Sequence, residues 1–323
     1  MRSIPDELRH RPFSRAEARA LGLSDRMLNA RRFVGVFPAV YRHRDHAMSD
    51  DDWVSAARLA LPGRARLTGL SRIQALGLDF GPRTPVRFVV EGDLHLVPEG
   101  IFLHRTKRLP PNDGVDVTAA SAFIAYCRRA RVIDAIKVGD WLLHHGHMER
   151  EELQALALGE QWRDGADEAL YLFDRLDGRS RSLPESELRV LLEASGLTAP
   201  EPNLGLDLGG ERVLGDLVYR RWRTVVEYEG AHHQLERGQY VADIDRYALF
   251  RRHDLGYVQV TKEKLSRPRQ SVQEVHRELV HNGYDGPTPA FGSNWLEVFA
   301  RVTDVLGPRR DRRRSSGGAR TVS

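Results

Sequence analysis

The stretch Val225-Val226-Glu227-Tyr228-Glu229-Gly230-Ala231-His232-His233 sets two carboxylates two residues apart at the end of an apolar run, then a glycine and two histidines. Alternate side chains of a strand share a face, so Glu227 and Glu229 project together and Tyr228 opposes them. Asp216 interrupts a second apolar run, between Leu214 and Val218. If the two runs form a hairpin turning at Arg220–Arg223, Asp216 comes close to opposite Glu227. Carboxylates so placed repel unless a cation neutralises them or a proton is shared. Oxygen donors of this kind suit Mg²⁺ or Mn²⁺. Such an ion polarises a phosphodiester and lowers the pKa of a bound water. On this reading Asp216 and Glu227 hold the metal, and Glu229 orients a water or shares the ion. His233, just past the strand, serves as acid or base, and Glu185 supports the site with a further carboxylate.

Each position also has an ordinary reading. Ser182-Leu-Pro-Glu185 has the spacing of a capping box, so Glu185 also fits a helix cap. Asp216 also fits a turn bond to backbone. Glu227 and Glu229 also fit ion pairs with Arg221 or Arg246. The combination argues for chemistry, because unpaired carboxylates on apolar strands are costly.

The elements that must position these groups read as an α/β unit from about residue 179. "SLPESELRVLLEASGL" is an amphipathic helix closed by Gly196. "VLGDLVYR" and "RTVVEYEG" are strands, "YVADIDRYALFRRHDLG" a helix closed by Gly256, "YVQVT" a strand and "RQSVQEVHRELVHNG" a helix. That order predicts a mixed sheet with helices on both faces. Residues 291–307 predict one more short helix. The last sixteen residues hold six arginines and one aspartate, so they carry the chain's +4 and leave the rest close to neutral. This basic tail predicts disorder.

Upstream, "FSRAEARALGLSDRMLNARRF" predicts two short helices, the first capped by Ser14 with Glu17 and ended by Gly22, the second capped by Ser24. "VGVFPAVYRHR" predicts a hairpin broken by Gly35 and Pro38. Helix, turn, helix, hairpin is the order of a winged helix-turn-helix. Met27 and Leu28 point to its core, while Arg26, Asn29 and Arg32 lie together on the other side with Asp25. Arginine and asparagine are types that read base edges in a major groove. DNA contact and an ordinary solvated face both fit these residues.

The expected class is therefore multi-domain α/β. The units are a winged helix (1–45), a mixed α/β connecting domain (46–178), a mixed sheet flanked by helices (179–282), a C-terminal helix (283–307) and the tail (308–323). His144, His145 and His147 have no spacing for a tetrahedral site and read as exposed histidines at a helix end. A single cysteine, Cys127, excludes an intramolecular disulfide and suits a reducing cytoplasm. No apolar run is long enough for a membrane span, and the N-terminus has no apolar core of a secretory signal.

The third unit resembles the very-short-patch-repair-like branch of the PD-(D/E)xK nuclease superfamily, and more closely a bacterial family within it. "LPESELR" with Glu185, Asp216, "VEYEGAHH" with Glu227, Glu229 and His233, Asp243 with Arg246, and "GYVQVT" carry the likeness over about residues 179–267. Glu229 stands where the superfamily has its signature lysine and relatives of this branch have aspartate. Gln259 stands where relatives often have arginine. "FSRAEARALGLS", "GVFPAVYRHR" and "LTGLSRIQALGL" resemble the AbiEi-type antitoxin family. Together the resemblances imply a PD-(D/E)xK-like fold and a Mg²⁺- or Mn²⁺-dependent DNA endonuclease of repair or of phage and mobile-element defence. Arg26, Asn29, Arg32 and Arg246 would contact DNA. The alternative is a DNA-binding regulator whose nuclease-like fold is an inactive scaffold. A module for protein partners alone is a third reading.

Overall fold

The computed structural model of the chain describes residues 4–94, 98–229 and 248–307. It is a mixed α/β protein. Two compact units divide it at residues 125 and 126. The expected tail, the early part of the helix after Glu229, His233 and Arg246 lie outside the described residues. No described helix is long and apolar enough to cross a membrane.

In the first unit, strands β1 (Phe13–Ser14), β2 (Phe33–Phe37) and β3 (Val40–His43) form an antiparallel sheet in the order β1-β3-β2. Helices α1 (Arg15–Ala20) and α2 (Asp25–Leu28) lie between β1 and β2 in the chain. Ser14 caps α1 by accepting the Glu17 N–H at 3.1 Å. The Glu17 carboxylate pairs with Arg11. Gly22 is left-handed, as a helix end requires (φ 81°). Ser24 stands at the N-cap of α2, yet its side chain makes no cap bond. Leu8, Phe13, Ala18, Leu23, Leu28 and Phe33 form the core, with Met27 packed against it. A second sheet, in the order β4-β5-β6, joins β4 (Arg66–Leu67), β5 (Val86–Glu91) and β6 (Ile101–Thr106). Helix α3 (Asp50–Ala60) precedes it in the chain and α4 (Gly69–Ala75) lies between β4 and β5, and Ala57 of α3 joins Leu67, Phe88 and Leu103 in one core.

Helix α5 (Ala119–Cys127) spans the division between the units. Helices α6 (Val132–His144), α7 (Arg150–Gly159), α8 (Ala166–Leu172) and α9 (Leu183–Ala194) follow. The division thus falls inside segment 46–178, because α6 packs on α9. Buried Asp140 of α6 pairs with buried Arg189 of α9 at 2.8 Å and accepts the Asp177 N–H at 2.7 Å. Burial outweighs the guanidinium and pushes the Asp140 carboxyl up to about 6.

The principal sheet runs β10-β9-β8-β7, built from β7 (Glu201–Leu208), β8 (Glu211–Tyr219), β9 (Thr224–Glu229) and β10 (Gly256–Thr261). β9 and β10 are parallel and the other pairs antiparallel. One face packs Val218 and Val225 with Leu249 and Phe250 of a helical stretch at 248–252. On the other face lie α9 and α11 (Pro268–His281), which follows the short α10 (Lys262–Leu265).

Three expectations need correction. β7 is a strand that the sequence reading left out. Pro202, Asn203 and Gly205 look like turn residues, but an edge strand tolerates them. Gly256 does not close a helix. It begins β10, and Asp254 takes the left-handed place (φ 50°). Residues 291–307 form two helices, α12 (Ser293–Glu297) and α13 (Val302–Leu306). Between them the backbone serves α6: Val132 N–H donates to Ala300 O at 3.0 Å and Ile133 N–H to Val298 O at 2.9 Å. These bonds satisfy orphan donors at a helix start.

Candidate functional site

The β8–β9 hairpin turns at Arg220–Trp222, with Arg223 left-handed (φ 47°). Its ladder pairs Tyr219 with Thr224, Val218 with Val225 and Leu217 with Val226. Asp216 and Glu227 come one step further along the two strands and do not form a ladder pair. There the ladder stops although both strands run on, β8 along β7 and β9 along β10. Beyond that point the Tyr228 N–H donates to Asp216 Oδ2, at 3.0 Å. The carboxylate thus bridges two strands where their backbone pairing ends.

The neighbouring strands extend this level of the sheet. Pro202 pairs with Leu217 and Leu204 with Gly215, so Asn203 stands beside Asp216. Gln259 pairs with Glu227. Asn203, Asp216, Glu227 and Gln259 thus fall at one level of the four strands, a polar row in which Glu227–Gln259 alone is a ladder pair. The adjacent row, Pro202, Leu217, Val226 and Val258, is apolar. A polar row bordering an apolar core concentrates charge where desolvation is costly.

Glu227 Oε2 accepts a hydrogen bond from the Tyr257 hydroxyl at 3.2 Å, and the Tyr257 ring stacks on Phe250. Glu229 pairs in register with Thr261 and is half-buried. Glu185 is buried, and its N–H donates to Ser182 Oγ at 3.3 Å. Its Oε2 accepts the Arg181 N–H at 3.0 Å and Asn203 Nδ2 at 2.7 Å. Ser182 and Glu185 do form a helix cap, and Glu185 is also tied to the polar row through Asn203. Asn203 was missed in the sequence because Pro-Asn reads as a turn. Arg221, one candidate partner for Glu227 and Glu229, instead pairs with Asp285 and lies over Trp222.

Among the described residues, no group of three or more His, Cys, Asp or Glu side chains is arranged to hold a metal ion. Asp216 and Glu227 offer two carboxylates. That donor set fits Mg²⁺, which is commonly held by one or two carboxylates with waters and a substrate phosphate. The histidines at the end of α6 are held otherwise. His144 Nδ1 faces Gly178 O at 3.1 Å, and His145 Nδ1 faces Trp141 O at 2.9 Å while its ring stacks on Trp141.

In the first unit Arg26 and Asn29 are exposed and Arg32 is half-buried. Exposed Arg31 and Arg44 are further cations in the same stretch that the sequence reading did not single out. Asp25 is bound by Arg19, whose guanidinium holds its carboxyl below the usual range. Arg42 shapes the chain after the hairpin by donating to the carbonyls of Arg44 at 2.9 Å and His46 at 2.7 Å. Comparison of the chain with family models, with curated proteins and with solved structures finds no match.

Proposed function

We propose that the protein is a metal-dependent DNA endonuclease of the cytoplasm, with its reaction centre on the polar row of the principal sheet. The observation that carries this reading is the Tyr228 N–H bond to Asp216 Oδ2, which ties Asp216 to the strand that bears Glu227 where the β8–β9 ladder ends. The resemblance of residues 179–267 to the very-short-patch-repair-like nucleases agrees with it. Asp216 and Glu227 would hold Mg²⁺ or Mn²⁺. The bound ion would supply Lewis-acid polarisation of a phosphodiester and a more acidic water. Glu229 would orient that water. Tyr257 would hold Glu227 in place through its hydroxyl. Glu185 would be held by two N–H donors on one oxygen. His233 as acid or base and Arg246 on phosphate complete the proposal from outside the described residues.

The test is cleavage of supercoiled plasmid and of single-stranded oligonucleotides with Mg²⁺ or Mn²⁺. Asp216→Asn and Glu227→Gln should each abolish it, as should a chelator. Cleavage undiminished in both variants would remove these residues from the reaction.

A second reading, a DNA-binding regulator on an inactive nuclease-like scaffold, draws on a different observation. Arg26, Asn29, Arg31 and Arg44 share one short stretch of the first unit and reach solvent, and arginine and asparagine suit major-groove edges. It predicts sequence-selective binding without cleavage, lost in Asn29→Ala/Arg32→Ala. Unchanged affinity in that variant would reject it.

A further inference from the structure

We propose that the groove between the start of α11 and residues 295–299 binds a single strand of nucleic acid, with bases on its aromatic rings and phosphates on its arginines. The groove holds about 350 Å³ and is lined by Arg267, Pro268, Arg269, Gln270, Trp295 and Phe299. The proposal goes beyond the metal-dependent reaction and does not depend on the carboxylates of the sheet.

The rings come first. Phe291, Trp295 and Phe299 recur four residues apart. They meet edge to face, with centroids 4.8 Å apart for Phe291 and Trp295 and 5.6 Å apart for Trp295 and Phe299. Trp295 is buried and forms the floor, whereas Phe299 is 36% exposed. The backbone on either side of Phe299 is fixed, because Val298 O accepts the Ile133 N–H at 2.9 Å and Ala300 O the Val132 N–H at 3.0 Å. A ring presented on a fixed backbone costs little further ordering when a ligand stacks on it.

The rim is cationic. Arg267 and Arg269 are exposed, and the Arg269 guanidinium lies over the Phe291 ring, 5.4 Å from its centroid. Among the described residues, no carboxylate lines the groove. Glu297 of α12 turns instead to the Tyr171 hydroxyl and to Arg175. The neighbouring hollow shares Arg267 and Gln270, but Glu263 and Glu274 line it beside Lys264 and Arg277, so it offers an anion less.

Arginines beside aromatic rings match a chain that alternates anionic phosphates with flat bases, and such stacking tolerates any base. A duplex keeps its bases in its own stack, so the single strand is the form that fits. An acidic peptide would satisfy the arginines and leave the rings without a stacking partner. The chain's own last sixteen residues hold six arginines and one aspartate, and Arg267 and Arg269 would repel them.

The full-length protein would be titrated into a fluorescent thymidine strand of about 12 nucleotides, within the usual site size. Chelator in the buffer makes the reading one of binding alone, so failure of the endonuclease reading leaves this proposal standing, and the reverse. An abasic strand of equal length, the matching duplex and poly-glutamate are the comparators, and circular dichroism checks folding. Wild type should bind the thymidine strand about 10-fold more tightly than the abasic one. Phe299→Ala should lose that advantage and bind both strands alike. Phe299→Leu, which keeps apolar volume without the ring, should do the same and stands in if the alanine variant does not fold. Arg267→Gln/Arg269→Gln should weaken both strands and lower the slope of log affinity against log salt by about 1.4, for two phosphate contacts at about 0.7 each. Equal binding of the two strands by wild type would overturn the proposal, as would wild-type preference for the thymidine strand in the Phe299 variants. Loss of duplex or poly-glutamate binding in Phe299→Leu, with thymidine-strand binding intact, would assign the groove to double-stranded DNA or to an acidic peptide and overturn it as well.

Discussion

On the proposed function Asp216 has two separable jobs, and two substitutions pull them apart. Its Oδ2 accepts the Tyr228 N–H at 3.0 Å beyond the last β8–β9 backbone pair. Its charge lies one step past the Leu217–Val226 pair, as Glu227 does on the neighbouring strand. Asp216→Ala removes both acceptor and charge, whereas Asp216→Asn keeps an acceptor of the same size. An N–H left without its partner costs about 1–3 kcal/mol when buried. Tyr228 is only half-buried, so water can reach part of that region and the low end, about 1 kcal/mol, applies. The asparagine variant should lie within about 0.5 kcal/mol of wild type, helped by relief of repulsion with Glu227. Urea unfolding followed by tryptophan fluorescence would report the difference, since Trp222 sits in the β8–β9 turn. Mn²⁺ titration of the same samples reports the charge. The alanine variant should be less stable than the asparagine variant, and neither should bind Mn²⁺ as wild type does. Equal stability of the two would refute the structural role of the Tyr228 bond. Wild-type Mn²⁺ affinity in Asp216→Asn would refute the carboxylate as a ligand.

Two further predictions concern the pair that joins α6 to α9. Arg189→Leu leaves Asp140 buried without its cation and should cost about 3–5 kcal/mol, whereas Asp140→Leu/Arg189→Leu should recover most of that loss; equal destabilisation in both would show that packing, not charge, dominates there. Because burial raises the folded Asp140 carboxyl from 3.8 to about 6, the folded state holds the extra proton between those values. The contribution of Asp140 to stability is therefore greatest below about pH 4 and falls as pH rises to about 6, by at most about 3 kcal/mol. Wild type measured against Asp140→Asn by urea unfolding across pH 4–7 should show that slope, and a flat or opposite difference would refute the raised value.

Much of the hairpin that bears these carboxylates was legible in the residues themselves because its determinants are local. Period-two alternation put Glu227 and Glu229 on one face, and the turn length at 220–223 set the register that pairs Val218 with Val225 and Leu217 with Val226. The Ser182 cap of α9 follows from four consecutive residues. The order of two short helices and a hairpin in the first unit was likewise readable from caps and turn residues. Other features depend on partners far along the chain, which no window of sequence contains. β7 is a strand because β8 pairs with it, despite its proline and asparagine. Residues 291–307 break into two helices because the start of α6, more than a hundred residues earlier, takes their backbone carbonyls. Glu185 is tied to β7 as well as to the start of its own helix because Asn203 reaches it across the fold. Sequence alone determined the residue types and local periods of this protein. The tertiary structure decided which carboxylates share a level of the sheet, because non-local hydrogen bonds set strand order and end the ladder at Asp216.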